Sequence, residues 1–539
     1  MIISGINNTT QTTYQSLLIA VANGFVYVGN SPPSSTINLA GNQASAPLKN
    51  NVMISSAQVD LNVYFVDGNT IAVLDLTTLA MVPYADTAGT APRTCNLAAN
   101  WRGRLWLAGD STDPQNFYQA RAGVPTDWNY AATDPAAAVE GNLSESGLIG
   151  EPVTSLIPYT DDYALVGCSH SIWMLEGDLA DGGTIVRVSD LFGIVGKDAW
   201  CVDPTGTLYF TASGGMYSVR PIWEFYQPPQ LLTGHNFNQF FQNLSWGTAY
   251  ITMLWDPDLH YCHLYITPSD GVTDGTHLIL DGRSISQENQ GSLWPIQFAN
   301  VEHGPTTAVE WLSDASANGR TILLGGFDGY IRAWNDTALD DDGTTIAANV
   351  TFGPIKPFPE AAMWSATTID FGETLAADTH ASPIFVLAEV PTGVVNGTNT
   401  VFTLAHTPIV DTQQVFINGN QEDGGYQYTL SGTTITFATP PTNGSSLTAN
   451  YDYLGTPPTP WNADVILESG PDAWEVTEGT AHTSVTIPCI LDRRQKTFRQ
   501  RLRGGFFSLT VSNTQPGSYF SFESALLEFA PAGRNRERR

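Results

Sequence analysis

Between residues 20 and 336 one pattern of apolar and polar positions recurs: an alternating apolar stretch, a turn of Gly, Asp or Asn, and often a second stretch. Alternation with period two puts successive side chains on opposite faces of a strand, and such turns allow the tight reversal of a hairpin. The clearest instances are Gly24-Phe-Val-Tyr-Val-Gly29, residues 62–75, residues 103–109, residues 163–175 and residues 206–219. Residues 263–266 with 277–280, and residues 321–334, continue the series. Seven units over roughly 310 residues match the ~40 to 50 residues of a propeller blade. A strand pair of this kind cannot cover both of its faces alone, so neighbours must stack on it. The reading is an all-β chain: a β-propeller-like array of short antiparallel hairpins, about six to seven blades, plus a small inserted β-sandwich. Two large packed sandwiches are the alternative arrangement for the same hairpins. Helical periodicity is scarce, with residues 236–244 and 524–529 the only short candidates.

The texture changes past residue 336. Pro354, Pro357 and Pro359 crowd a short stretch, and proline lacks the donor that a central strand needs. Residues 391–455 read as a self-contained module of alternating strands with hairpin turns at Asn418-Gly419 and Ser431-Gly432. The expected organisation is a propeller-like body over 1–350, connecting strands and linker over 351–390, and the inserted β-sandwich over 391–455. A β segment over 461–530 then returns to the body, and a basic mobile tail covers 531–539.

Charge sharpens this picture. The chain of 539 residues carries a formal −30, yet ten of its 22 basic residues lie in the last 47 positions, against three acids there. That segment is +7 and the preceding 492 residues are −37. An acidic body repels nucleic acid, which disfavours sequence-specific DNA binding and suits a surface past which DNA slides. The five scattered cysteines, Cys95, Cys168, Cys201, Cys262 and Cys489, form no Cys-x-x-Cys pair and are expected as buried free thiols. The apolar run at residues 17–22 is too short for a signal-peptide core or a membrane span, so export by the standard route is not expected.

Catalytic signatures are missing from the sequence: no phosphate loop, no nucleophile elbow, no His-Glu-x-x-His and no sialidase Asp box. His260 and His263 flank a Tyr-Cys and read as core or edge residues before they read as metal ligands. Asp340, Asp341 and Asp342 read as a solvated acidic turn, lacking the alternation of a calcium loop. Trp101, Trp128 and Trp334 would stack on sugars if exposed and fill blade cores if buried. Neither enzyme activity nor a cofactor or metal is expected. The interaction candidates are Arg493, Arg494, Lys496, Arg499, Arg501 and Arg503. From residue 499 onward, arginine alternates with Gln500 and Leu502, which makes one strand face cationic and suits it to an acidic surface of the same or a neighbouring subunit. Contact with DNA is the alternative use of that face.

One stretch resembles a known family. Leu97-Ala-Ala-Asn-Trp-Arg-Gly-Arg-Leu-Trp-Leu-Ala-Gly109, followed by Asn116-Phe-Tyr-Gln-Ala-Arg121 and Pro125-Thr-Asp-Trp128, resembles the tail nozzle (tail tube) proteins of short-tailed bacteriophages. Gln119 stands where that family usually has Ser, and Trp128 stands for Phe. The arginine-rich strand is also similar to that family, and residues 391–455 resemble β-sandwich modules appended to phage tail and fibre proteins. The resemblance implies a virion protein, made in the host cytoplasm, that forms a ring of six copies below the portal and adaptor. DNA would pass through its lumen without specific binding, tail fibre proteins would be neighbours, and the inserted module would project toward a neighbour, a fibre or the host surface. A carbohydrate-binding propeller, or a propeller glycosidase, is the alternative function.

Overall fold

In the hairpin over residues 62–75, the Asp67 carboxylate accepts hydrogen bonds from the backbone N–H groups of Asn69 and Thr70 at 2.9 and 2.8 Å, and Gly68 supplies the positive φ. The same carboxylate-to-backbone closure recurs at Asp75, Asp110, Asp203, Asp256 and Asp270. An aspartate here offers the turn an acceptor that no apolar residue has. Part of the acidity of the chain is therefore turn chemistry.

These turns join the strands seen in the computed structural model. It describes residues 2–7, 15–29, 37–45, 47–50, 52–144, 150–219, 229–234, 238–285, 290–312, 320–335, 338, 340–359, 361–371, 383–409, 412–422, 424–454, 462–477, 482–491, 494–513 and 520–532. The chain divides into two units, Met1–Asp341 and Asp342–Arg539.

The first unit is a β-propeller-like array of seven antiparallel sheets, each made from contiguous chain. Six sheets have four strands and the last has three. Blade 1 runs from Ile2–Asn7 to Asn38–Leu39, blade 2 from Ser55–Val59 to Ala80–Pro83, and blade 3 from Leu97–Trp101 to Val139–Asn142. Blade 4 runs from Val153–Pro158 to Thr184–Ser189 and blade 5 from Trp200–Val202 to Gln230–Leu231. Blade 6 runs from Ala249–Asp256 to Gln290–Ile296, and blade 7 from Thr307–Leu312 to Ile331–Ala333. The seven sequence units fall one in each sheet, so the two-large-sandwich alternative does not describe this unit.

Strand alternation decides the packing. In blade 2, Val63, Phe65, Ala72 and Leu74 join Leu17, Ile19 and Val26 of blade 1. The intervening Tyr64, Val66, Ile71 and Val73 join Leu105 and Leu107 of blade 3. Blade 3 then turns Trp106 and Ala108 to Val166 and Leu175 of blade 4. Leu165 and Met174 of blade 4 join Phe210 of blade 5 and Leu264 of blade 6. Tyr265 of blade 6 meets Ile322 and Leu324 of blade 7, and Trp311 and Leu323 of blade 7 meet Leu18 of blade 1. The order of contacts returns to its start. Burying each such side chain contributes about 1.5–3 kcal/mol, so a sheet bare on one face forfeits several of these terms.

Blade 3 holds a charged clamp. Arg104 is 0% exposed; its Nη1 donates to the carbonyls of Ala120 and Ala137 at 3.0 and 2.6 Å, and its Nη2 reaches Asp178 Oδ2, in the connection between the last two strands of blade 4, at 2.9 Å. Removing one partner of a buried ion pair costs about 3–5 kcal/mol, which makes Asp178 integral to this junction. Trp101 and Trp128, 3% and 1% exposed, are core residues, with Nε1 donating to the Thr160 carbonyl and the Tyr84 hydroxyl respectively.

The second unit contains two sandwiches. In the first, the sheet ordered Ala348–Ile355, Phe506–Asn513, Asn462–Gly470, Thr483–Ile490 packs on the sheet ordered Gln495–Gly504, Ala362–Phe371, Phe522–Pro531. Trp364, Ile369, Val465, Leu467, Phe507 and Leu509 are in its core. The second lies within residues 383–454, around Phe402, Val415, Ile435 and Tyr451.

Four expectations change. Ala348–Ile355 and Ala362–Phe371 are long strands of the second unit, where the sequence reading ended the body at 350 and placed connecting strands and linker over 351–390. Pro354 sits in the strand Ala348–Ile355, which is an edge of its sheet and needs fewer donors. The inserted module starts at the strand Pro383–Glu389, which pairs with Leu447–Leu454, ahead of residue 391. The segment 461–530 pairs with residues 348–371, within the second unit, and not with the propeller-like body. Residues 524–529 are strand and not helix, because Ala525, Leu527 and Phe529 pack inward while Leu526 and Glu528 face solvent. The other candidate contains the helix Asn238–Gln242, with residues 236–237 outside the described residues. Most of the basic tail, residues 533–539, and residues 455–461, where the module meets the returning β segment in the sequence, also lie outside them.

His277 of blade 6 gives a pH test. It is 3% exposed, lies edge-on to Phe298 at 5.0 Å between ring centres, and its Nδ1 has no hydrogen-bond partner. Burial pushes the imidazole down to about 4 from the ordinary 6.5. Between these values the unfolded chain binds a proton that the folded chain refuses, so stability is full above pH 6.5 and falls as pH drops toward 4. The loss reaches roughly 3 kcal/mol at about 1.4 kcal/mol per pH unit. Denaturant unfolding at pH 7 and pH 4.5 is expected to show a smaller loss for His277→Phe than for the native chain; equal losses would contradict the assignment.

Candidate functional site

The arginine-rich strand Gln495–Gly504 lies at the edge of its three-stranded sheet and pairs only with Ala362–Phe371. Leu502 is buried and Phe498 packs toward the core, so alternation turns Arg499, Arg501 and Arg503 to solvent. A register shift between Trp364 and Ala366 interrupts the pairing opposite them without reversing the alternation. Among the described residues none forms an ion pair or side-chain hydrogen bond with these three guanidinium groups.

The remaining sequence candidates behave differently. Arg494 bonds to Asp370, Nε to Oδ1 at 3.0 Å, and to Glu523, and these two carboxylates push its guanidinium further into the charged form. Lys496 falls on the inner side of the alternation, away from the arginine face. Arg493 lies outside the described residues. The structure thus brings three of the six candidates onto one face.

Their lack of partners is unusual for this chain. Arg93, Arg102, Arg104, Arg121, Lys197, Arg283, Arg320 and Arg332 of the first unit each have a carboxylate within 4.0 Å. That unit holds 11 Lys and Arg against 33 Asp and Glu. Most bases there are matched, while acids are left over.

A second feature, which sequence reasoning missed, lies between blades 6 and 7. A cavity of about 250 Å³ is lined by Asp256, Asp258, Glu310, Arg320 and Trp334, among others. Burial raises the Glu310 carboxyl above its usual range; Arg320, with Nε 2.7 Å from Oε1, pulls the other way, and Asp258 and Asp256 add to the rise. Burial also works against ionisation of Asp256, but His263 and the backbone N–H groups of Leu259 and Asp258 outweigh it and hold that carboxyl low. Two carboxyl groups with opposed environments are an arrangement suited to acid–base work. No spacing links positions 256 and 310 in the sequence, so only the fold reveals it.

The metal reading of His260 and His263 weakens. His263 is fully buried, with Nδ1 3.1 Å from the Tyr265 hydroxyl, and neither it nor His260 joins a group of three metal-ligating side chains among the described residues. Asp341 Oδ2 accepts from the Ala299 N–H at 3.0 Å and lies 2.8 Å from His303 Nδ1. The five cysteines are free and buried.

A stability measurement checks the reading of the arginine face. Exposed, unpaired side chains contribute within about 0.5 kcal/mol each. Replacing Arg499, Arg501 and Arg503 together by Ser is expected to move the free energy of unfolding by less than about 1.5 kcal/mol on that basis. A larger loss would mean that these side chains hold the sandwich together.

No family model and no curated protein matches this sequence. Among solved structures, the chain is similar to the extracellular domain of BT4673 from B. thetaiotaomicron, at 10% identity over 59% of this chain and 44% of that one, with a TM-score of 0.30. PorZ, a bacterial surface component of the type-IX secretion system of Porphyromonas gingivalis, gives 13% identity over 66% of this chain and 43% of that one, with a TM-score of 0.33. A streptogramin B lyase gives 10% identity over 61% and 93%, with a TM-score of 0.33. This chain spans less than half the length of the first two.

Proposed function

We propose that the chain is a structural, non-enzymatic subunit of a phage tail nozzle. The observation that carries this reading is the face of three unpaired arginines, Arg499, Arg501 and Arg503, on a chain of net −30. In a monomer such a face would draw the surplus carboxylates of its own chain. Left open, it is available to the acidic surface of a second copy, and complementary charge steers such association. The resemblance of residues 97–128 to nozzle proteins supports the same reading.

On it, six copies form a ring below the portal and adaptor, with tail fibre proteins as neighbours, in the tail of the virion. The acidic surplus keeps DNA moving through the lumen without gripping it. The inserted sandwich faces a neighbour, a fibre or the host surface.

One observation favours a second reading, a glycan-binding or glycan-cleaving propeller. The cavity with Asp256, Glu310 and Trp334 joins two carboxyls in opposed environments to an aromatic wall. Light scattering and negative-stain imaging of the purified full chain separate the two. Rings of six chains with a central channel are expected. A chain that stays monomeric at every concentration and binds or hydrolyses glycans would overturn the nozzle reading in favour of the second.

A further inference from the structure

The arginine face ends at a cavity. Arg503 lines a recess of about 530 Å³ at the end of the first sandwich of the second unit, split in sequence by the module at residues 383–454, and Lys356, which follows the strand Ala348–Ile355, lines it as well. The two cations come from strands of different sheets, 147 positions apart in the chain. Neither has a carboxylate partner among the described residues. Lys356 Nζ sits 5.3 Å from the centre of the Phe506 ring, which also lines the recess. Ser469 and Thr483 add hydroxyl groups to its wall.

The backbone keeps the recess open. Gly505 donates its N–H to the Gly470 carbonyl at 2.9 Å, joining the strand ends at its floor. A Cβ on Gly505 would come within 2.8 Å of the Pro471 carbonyl oxygen, so a side chain there is excluded by contact. The result is a concave site with two positive charges, two hydroxyls and one aromatic ring, in a protein where most bases of the first unit are matched by acids.

We propose that this recess binds a phosphate-class dianion, as inorganic phosphate or as a phosphomonoester. Two cations that line one recess repel each other, and a dianion bound by both relieves that repulsion and gains charge-assisted hydrogen bonds. Lysine meets phosphate as a point charge and arginine as a planar fork, and together they hold more than one oxygen. A recess of this size exceeds a single phosphate and leaves room for a flat organic group against Phe506.

Isothermal titration calorimetry on the full chain tests this at fixed ionic strength, with inorganic phosphate and phenyl phosphate as probes and chloride as the control. Saturable binding with one site per chain is expected for at least one probe. Tighter binding of phenyl phosphate would identify the phosphomonoester as the source, and equal binding the free ion. Lys356→Met and Arg503→Met should each weaken binding about tenfold or more, the loss of one charge-assisted hydrogen bond. Arg499→Met, farther along the strand, should leave it unchanged. No saturable heat with either probe would overturn the proposal. So would equal weakening by Arg499→Met, which would indicate diffuse attraction to the strand, or binding that survives Lys356→Met in a variant whose thermal unfolding matches that of the native chain.

Discussion

A short sheet with apolar side chains on both faces cannot stand in water, and that constraint organises the first unit. In blade 2, Ala72 and Leu74 face one neighbour while Ile71 and Val73 face the other. Every blade repeats this division of labour, so no blade can be terminal. The last seam is closed by Leu18, Trp311 and Leu323, without a strand borrowed from the far end of the chain. Closure thus rests on packing, and the residues that carry the family resemblance are largely absorbed by it. Trp101, Trp106 and Phe117 fill the core between blades 3 and 4, and Arg104 ties blade 3 to Asp178 through a fully buried guanidinium.

How far the fold could be read from the sequence depended on how local its determinants are. Hairpins such as residues 62–75 carry their own alternation and their own turn acceptor, Asp67, so they were legible. The split sandwich was not, because its strands find partners far along the chain: Thr351 meets Thr510, and Ala366 meets Arg499. Residues 383–389 were missed because Phe385 and Leu387 are apolar yet exposed, at 62% and 70%, which blurs the alternation. At 524–529 a run of apolar residues looked helical, although Leu526 is 62% exposed and its neighbours are inside.

The candidate sites divide in the same way. Arg499, Arg501 and Arg503 share a face because alternation along one strand puts them there, and that is readable from spacing alone. Lys356 joins Arg503, and Glu310 joins Asp256, only through tertiary structure. Arg494 is removed from the candidate face by Asp370 and Glu523, partners that the local sequence does not reveal.

Charge links these features. Many aspartates of the first unit close turns or hold arginines, yet a large acidic surplus remains, and the second unit exposes the complementary sign on one strand. Attraction between the two on different copies is the basis of the proposed assembly, and attraction between exposed charges weakens as salt screens them. Sedimentation velocity of the full chain across a salt series tests this most directly. The account requires multi-chain species at low salt that dissociate as salt rises, and that are lost at every salt concentration when Arg499, Arg501 and Arg503 are changed to Glu. Association that is indifferent to both salt and these substitutions, or a chain monomeric throughout, would contradict it.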